Sequence, residues 1–160
     1  KFSGVQNYFA LVGKAGPDLQ EKCGYWGERL VLKAQMMGLN TCWVALTFTK
    51  VKSAYTLGTG EKLAAVIALG HGATQGVPHK SKPMEELAKA EGPMPDWFRA
   101  GMEAVLLAPT AVNQQKFLFT LEQDGRVSAQ PGHAFYAKMD LGIAKYHFEV
   151  GAGKENVQWV

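Results

Sequence analysis

The sequence predicts an α+β protein, a mixed α/β fold in which a central mixed sheet is surrounded by helices. Three observations predict it. Apolar runs of strand length, at residues 8–12, 41–48 and 63–69, are interleaved with stretches of helical periodicity at 19–37, 96–107 and 140–150. Turn chemistry separates them, with Gly58-Thr59-Gly60, Gly92-Pro93-Met94-Pro95 and Asp124-Gly125 at the junctions. A chain of 160 residues that is 47% hydrophobic and 19% charged is long and apolar enough to bury one substantial core.

The first half begins with residues 8–12, a continuous apolar run ended by Gly13, which reads as a buried strand. Gly16-Pro17-Asp18 is a turn and a helix start. In the helix that follows, Trp26, Leu30, Ala34 and Met37 fall on one stripe at spacings of three and four and are expected to face inward, with Gly38 as the stop. Residues 41–48 are β-prone, a short helix is expected near 50–55, and 63–69 is the most continuous apolar strand, closed by Gly70. The loop at 71–83 is too long for a bare connector, so it is a candidate for function. Pro83 opens a short helix over 84–90.

In the second half Asp96 starts a helix running to Leu107, with Phe98, Met102, Val105 and Leu106 inward and Ala108-Pro109-Thr110 ending it. Residues 116–122 alternate like a strand, Asp124-Gly125 turns the chain, and 126–129 returns as the other arm of a hairpin. A last helix covers 140–150, and 157–160 is expected to be a strand. Internal repetition is visible here: residues 28–38 and 140–151 are each an acid-led helix ending in glycine, followed by an aromatic segment at Trp43 and at Trp159.

Several function classes are disfavoured. A formal charge of +3 with dispersed basic residues offers no stripe for nucleic acid. No apolar run approaches the roughly 18–20 residues of a membrane span, and no signal peptide is evident. Cys23 and Cys42 read as buried, inert thiols, and His71 and His79 lack further ligands at metal-binding spacing. Cytoplasmic localisation is the expectation. His147, among Ile143, Tyr146 and Phe148, reads as a core or edge residue.

Three passages in order resemble the nitroreductase family, and within it the subgroup whose single chain carries two copies of the half-fold. They are Gly38-Leu39-Asn40-Thr41-Cys42-Trp43-Val44 after a long helix, Val66-Ile67-Ala68-Leu69-Gly70-His71 followed by Lys80-Ser81-Lys82-Pro83-Met84-Glu85-Glu86-Leu87, and Ala108-Pro109-Thr110-Ala111-Val112-Asn113-Gln114-Gln115. Thr110 stands where the family carries serine, and Lys116-Phe117 where Pro-Trp is usual. The resemblance implies one nitroreductase-like domain over 1–160, an internal pseudo-dimer in which 1–91 is the remainder of a first half-fold copy and 92–160 the second. It also implies that an upstream part with a phosphate-gripping Arg-Arg-Ser element is missing.

The implied activity is FMN-dependent oxidoreduction, with NAD(P)H as reductant and an electron-poor acceptor of nitroaromatic or quinone type. The alternative is a flavin- or ligand-binding protein of the same fold without turnover. Flavin chemistry needs a cationic grip, donors to the ring edge and an apolar platform, so no catalytic residue and no metal is implied. The resemblance gives Lys80 and Lys82 the flavin phosphate, beside Gly70 and His71. It gives the backbone of Trp43, Val44 and Ala45 the ring edge near N5, and Pro109, Thr110, Asn113 and Gln115 the opposite wall. Each has a plainer reading: two solvated lysines, a core strand, and a helix end with its turn. The expected partners are a small-molecule substrate, no nucleic acid and no membrane. The chain would be a monomer through its internal pseudo-dimer, or would assemble with the missing segment.

Overall fold

In the computed structural model, which describes residues 4–46 and 48–160, the apolar runs become strands and the periodic stretches become helices in the expected order. Strand β1 (Asn7–Lys14) leads into helix α1 (Leu19–Met36), strand β2 (Asn40–Val44) and strand β3 (Glu61–Gly70), with a 3-10 turn at Lys52–Ala54 between the last two. After the long loop come α2 (Met84–Leu87), β4 (Ala88–Ala90), α3 (Asp96–Val105), β5 (Phe117–Leu121), β6 (Val127–Pro131) and α4 (Ala137–Ala152). The α+β class holds, with helices packed on the sheets.

The strands divide into two small sheets, where the sequence suggests one. The first is antiparallel in the order β1-β3-β2, and the second has β5 parallel to β4 and antiparallel to β6. The expected helix over 84–90 is cut to one turn, because Ala88, Lys89 and Ala90 pair with Phe119, Thr120 and Leu121. This pairing crosses the expected half-fold boundary at 91/92. The expected terminal strand at 157–160 is a single parallel bridge, Trp159 to Val127, in which Val127 N–H donates to Gln158 O and Val160 N–H donates to Val127 O. The strand expected over 41–48 ends at Val44, and residue 47 lies outside the described ones.

β3 is the middle strand of its sheet, and Ala65, Val66, Ile67 and Ala68 are all buried because both of its faces are covered. Ala65 and Ile67 point to a cluster with Leu11, Cys23 and Met139, while Val66 and Ala68 pack with Val44 on the other side. The second half has an aromatic core. Phe119 stacks on Phe148 at 5.2 Å between ring centres, and Phe98 meets Phe148 edge-on at 5.2 Å. Trp43 packs against both the first and the aromatic cluster and so joins the two halves of the core.

Helix α1 corrects the expected stripe. Trp26, Leu30 and Met37 are exposed, and of that stripe only Ala34 is buried. The inward face is Cys23, Gly24, Gly27, Glu28 and Ala34. The reason is close helix packing. A Cβ on Gly24 would strike the Met139 carbonyl of α4, and one on Gly142 would strike the Glu21 carbonyl of α1. The two helices run side by side in the same direction, with Glu21 beside Lys145, Tyr25 beside Tyr146 and Glu28 beside His147. Small residues face the partner, so the large ones are turned outward. The thiols need a correction as well: Cys23 is buried, but Cys42 is exposed. Desolvation pushes both thiols up, which leaves them unactivated.

Candidate functional site

The edge strand β2 and the turn after α3 meet at one cavity of about 370 Å³, inside the range of small-molecule sites. Trp43, Val44, Ala45 and Leu46 supply one side, and Pro109, Thr110, Ala111 and Val112 face them. The start of α4 closes the third side with Tyr136, Met139, Asp140 and Ile143. The lining is mostly apolar carbon. Local sequence explains the shape. β2 lies at the edge of its sheet, so the backbone groups on its outer side are free of the β3 ladder. Pro109 follows the end of α3 and turns the chain back across it.

The wall at 110–115 is held in an uncommon backbone conformation. Val112, Asn113 and Gln115 all have left-handed φ, at 46°, 54° and 45°, and Tyr136 on the facing helix start has 60°. Such angles are unfavourable for non-glycine residues, most of all for a β-branched one like Val112. Hydrogen bonds hold them. Asp140 Oδ1 accepts from Ala111 N–H at 3.0 Å and Oδ2 from Gln114 Nε2 at 2.6 Å. Gln114 Nε2 also donates to Phe135 O at 2.8 Å, and Thr110 Oγ1 accepts from Gln115 N–H at 3.1 Å. Tyr136 donates its hydroxyl hydrogen to Ala45 O at 3.3 Å, tying α4 to β2 across the cavity.

Asp140 is 3% exposed, and burial holds its carboxyl above the ordinary carboxylate value. The two hydrogen bonds from Gln114 and Ala111 pull the other way and are outweighed.

The expected site residues separate into groups. Trp43, Val44, Ala45, Pro109 and Thr110 converge on the cavity. Gln115 does not line it. Its side chain accepts from Lys82 N–H at 2.8 Å and donates to Lys80 O and to Asn113 Oδ1, both at 2.9 Å. Asn113 in turn donates to Lys80 O at 2.9 Å. These two amides therefore strap the loop at 80–82 to the cavity wall. Lys80 is exposed, and the half-buried Lys82 donates through Nζ to Gln115 O at 3.2 Å. Gly70 and His71 line a different groove with Asn40 and Cys42. Gly70 pairs with Asn40, the opposite end of β2 from the cavity.

Sequence reasoning missed Leu46, Ala111, Val112, Tyr136, Met139, Asp140 and Ile143 as lining residues. Asp140 reads as an ordinary helix-start acid, and only its position before an apolar helical face could have drawn notice. Among the described residues no group of three or more His, Cys, Asp or Glu is placed to hold a metal, and no helix is long and apolar enough to cross a membrane.

The α+β fold of two small sheets is the nitroreductase fold, as one solved structure shows. A putative nitroreductase from Thermotoga maritima, known from its crystal structure, superposes with a TM-score of 0.69 at 22% identity. The match covers 92% of this chain and 61% of that one, so the chain spans about three-fifths of that relative's length. The chain belongs to the family described as "Putative TM nitroreductase", whose model matches residues 1–152. None of the curated proteins matches the chain.

Proposed function

We propose that the cavity holds the isoalloxazine ring of FMN, and that the protein is an NAD(P)H-using flavin oxidoreductase acting on a nitroaromatic or quinone-type acceptor. One observation carries this reading. The two passages most similar to flavin-edge segments, at Trp43–Ala45 and Pro109–Thr110, lie far apart in sequence and line one apolar cavity. The residues present fit the group. The apolar lining suits a planar aromatic ring, and N–H groups on the unpaired side of edge strand β2 would donate to its rim. Lys80 and Lys82, strapped to the same wall through Gln115 and Asn113, would meet the phosphate beyond it. Gly70 and His71 fall outside the ring site in this reading.

A bound flavin would supply the redox chemistry, hydride transfer between a nicotinamide and an electron-poor acceptor. The chain's own residues orient the ring, exclude water from it and leave one face open. In the same reading the chain carries two half-fold copies, about 1–91 and 92–160, with β4 of the first donated to the sheet of the second. The glycine-mediated pairing of α1 with α4 supports that arrangement. The location is cytoplasmic.

A second reading, flavin binding without turnover, draws on Asp140. A carboxylate in the cavity wall opposes the negative charge of a reduced flavin. Anaerobic addition of NADH or NADPH to the FMN-loaded protein separates the two. Bleaching of the yellow band, followed by its return on adding a quinone, is expected for the enzyme. Persistent colour would leave only the binder.

A further inference from the structure

Behind the cavity is a buried set of polar groups that flavin chemistry does not call for. Glu28 on α1 is 1% exposed. Its Oε2 accepts from the Trp43 indole Nε1–H at 2.9 Å, and its Oε1 is 3.0 Å from His147 Nε2 on α4. His147 Nδ1 is 3.1 Å from Ala104 O. A carbonyl oxygen can only accept, so Nδ1 carries a hydrogen. The contact between Nε2 and Oε1 then needs one further proton, whichever of the two atoms holds it. Glu28 and His147 thus form a buried, hydrogen-bonded pair sharing one proton.

We propose that Glu28 and His147 are positioning residues that fix the Trp43 indole, and through it the cavity wall. Trp43 is suited to such control. Its ring lies against Gly27, where any Cβ would strike it, and it touches both core clusters. The indole is the joint between the two halves, and the residues after it on β2 are the cavity edge. The second half carries a similar brace. Trp159 Nε1–H donates to Glu149 Oε1 at 2.8 Å, and Glu149 Oε2 accepts from the Tyr25 hydroxyl at 2.5 Å. In both, a Trp bonds a Glu of its own half and the third partner crosses from the other half. The brace with the imidazole adjoins the cavity between β2 and α4 through Trp43. The second fills its place with a phenol, beside a groove of about 190 Å³.

The structural part of this proposal is independent of the ligand, while its effect on binding rests on the flavin reading. The test exploits chemistry at Glu28. In Glu28→Gln the amide oxygen can still accept from Trp43, and the amide N–H can donate to a neutral His147, so every bond survives without the shared proton. Glu28→Leu removes both bonds. The indole N–H resonance of Trp43, identified with Trp43→Phe in ¹⁵N-Trp-labelled protein, is expected to keep its downfield position in E28Q and to move and broaden in E28L. Glu149→Gln is the control, expected to affect Trp159 alone. FMN titrated into the same proteins is expected to bind E28Q within about twofold of the parent and E28L at least about tenfold more weakly, equivalent to about 1.4 kcal/mol.

An unmoved Trp43 resonance in E28L overturns the proposal, as does E28Q behaving like E28L. If the parent protein does not bind FMN, the flavin reading fails and the indole resonance still decides the positioning role. Should E28L not fold, His147→Gln carries the test. It cannot bond Glu28 and the Ala104 carbonyl as the ring does, so an unmoved Trp43 resonance there is equally fatal.

Discussion

At the scale of single residues, two buried polar groups make opposite demands on the fold. Both ring nitrogens of His79 are buried without a hydrogen-bond partner among the described residues. An unsatisfied buried polar group costs about 1–3 kcal/mol. His79→Leu is therefore expected to raise stability by about 1 kcal/mol, measured by chemical or thermal unfolding; a loss of stability would mean that the imidazole finds a partner in solution. Asp140 is satisfied but desolvated, and its carboxyl is raised above its unfolded value. The folded state then binds that proton more tightly than the unfolded one. Its contribution is present below the unfolded carboxylate value and is lost as pH rises through the raised one. Unfolding of the protein and of Asp140→Asn, followed across the acidic range to neutrality, is expected to show the variant gaining on the parent as pH rises. Parallel profiles would show that Asp140 is solvated. Neither residue was legible as such: burial of a loop histidine and of a helix-start acid depends on what folds over them, which local pattern does not encode.

At the scale of elements, the legible features were those set by local periodicity. The apolar run around Val66 and Ile67 reads directly as a strand covered on both faces, and the α3 face of Phe98, Met102 and Val105 is buried as its spacing requires. Helix α1 was misread because hydrophobic size is a poor guide where helix backbones touch. Its inward face is glycine and a buried glutamate, with Trp26 left 55% exposed. Gly142→Ala tests the reason. At an ordinary exposed helical site alanine would stabilise by about 1 kcal/mol. Here its Cβ meets the α1 backbone at the Glu21 carbonyl and, at 2.8 Å, Tyr25 N. A loss of about 3 kcal/mol, at the upper end of overpacking, is expected from denaturant unfolding. A gain would show that the two helices do not approach so closely. Likewise the strand β4 was hidden inside a helix-like stretch, because three residues pair by a non-local contact with β5. The strap from Gln115 to Lys80 and Lys82 is another contact of that kind. Gln115→Ala would leave Lys82 N–H and Lys80 O without that partner. It is expected to speed proteolysis of the loop at 71–83 relative to the rest of the chain, as limited digestion with mass spectrometry would show. Cleavage at the parental rate would remove the strap from the account.

For the whole molecule, family and α+β class were readable from three ordered passages, whereas the partition into two sheets was not. What the passages share in space is the cavity: Trp43–Ala45 and Pro109–Thr110 meet there, while Gly70 and His71 are carried to the far end of the first sheet by the register of β2 on β3. The central claim is that this cavity receives the flavin ring. Ala45 lines it just past the end of the edge strand, where it also packs against the cluster of Leu11, Ala65, Ile67 and Met139, and Ala45→Phe would fill it from the rim. FMN titrated into the protein and into A45F, followed by quenching of flavin fluorescence and with far-UV circular dichroism confirming the fold, tests the claim most directly. Weak, saturable binding to the protein is expected, with a loss of at least about tenfold in A45F, or about 1.4 kcal/mol. Equal affinity in the two would contradict the claim.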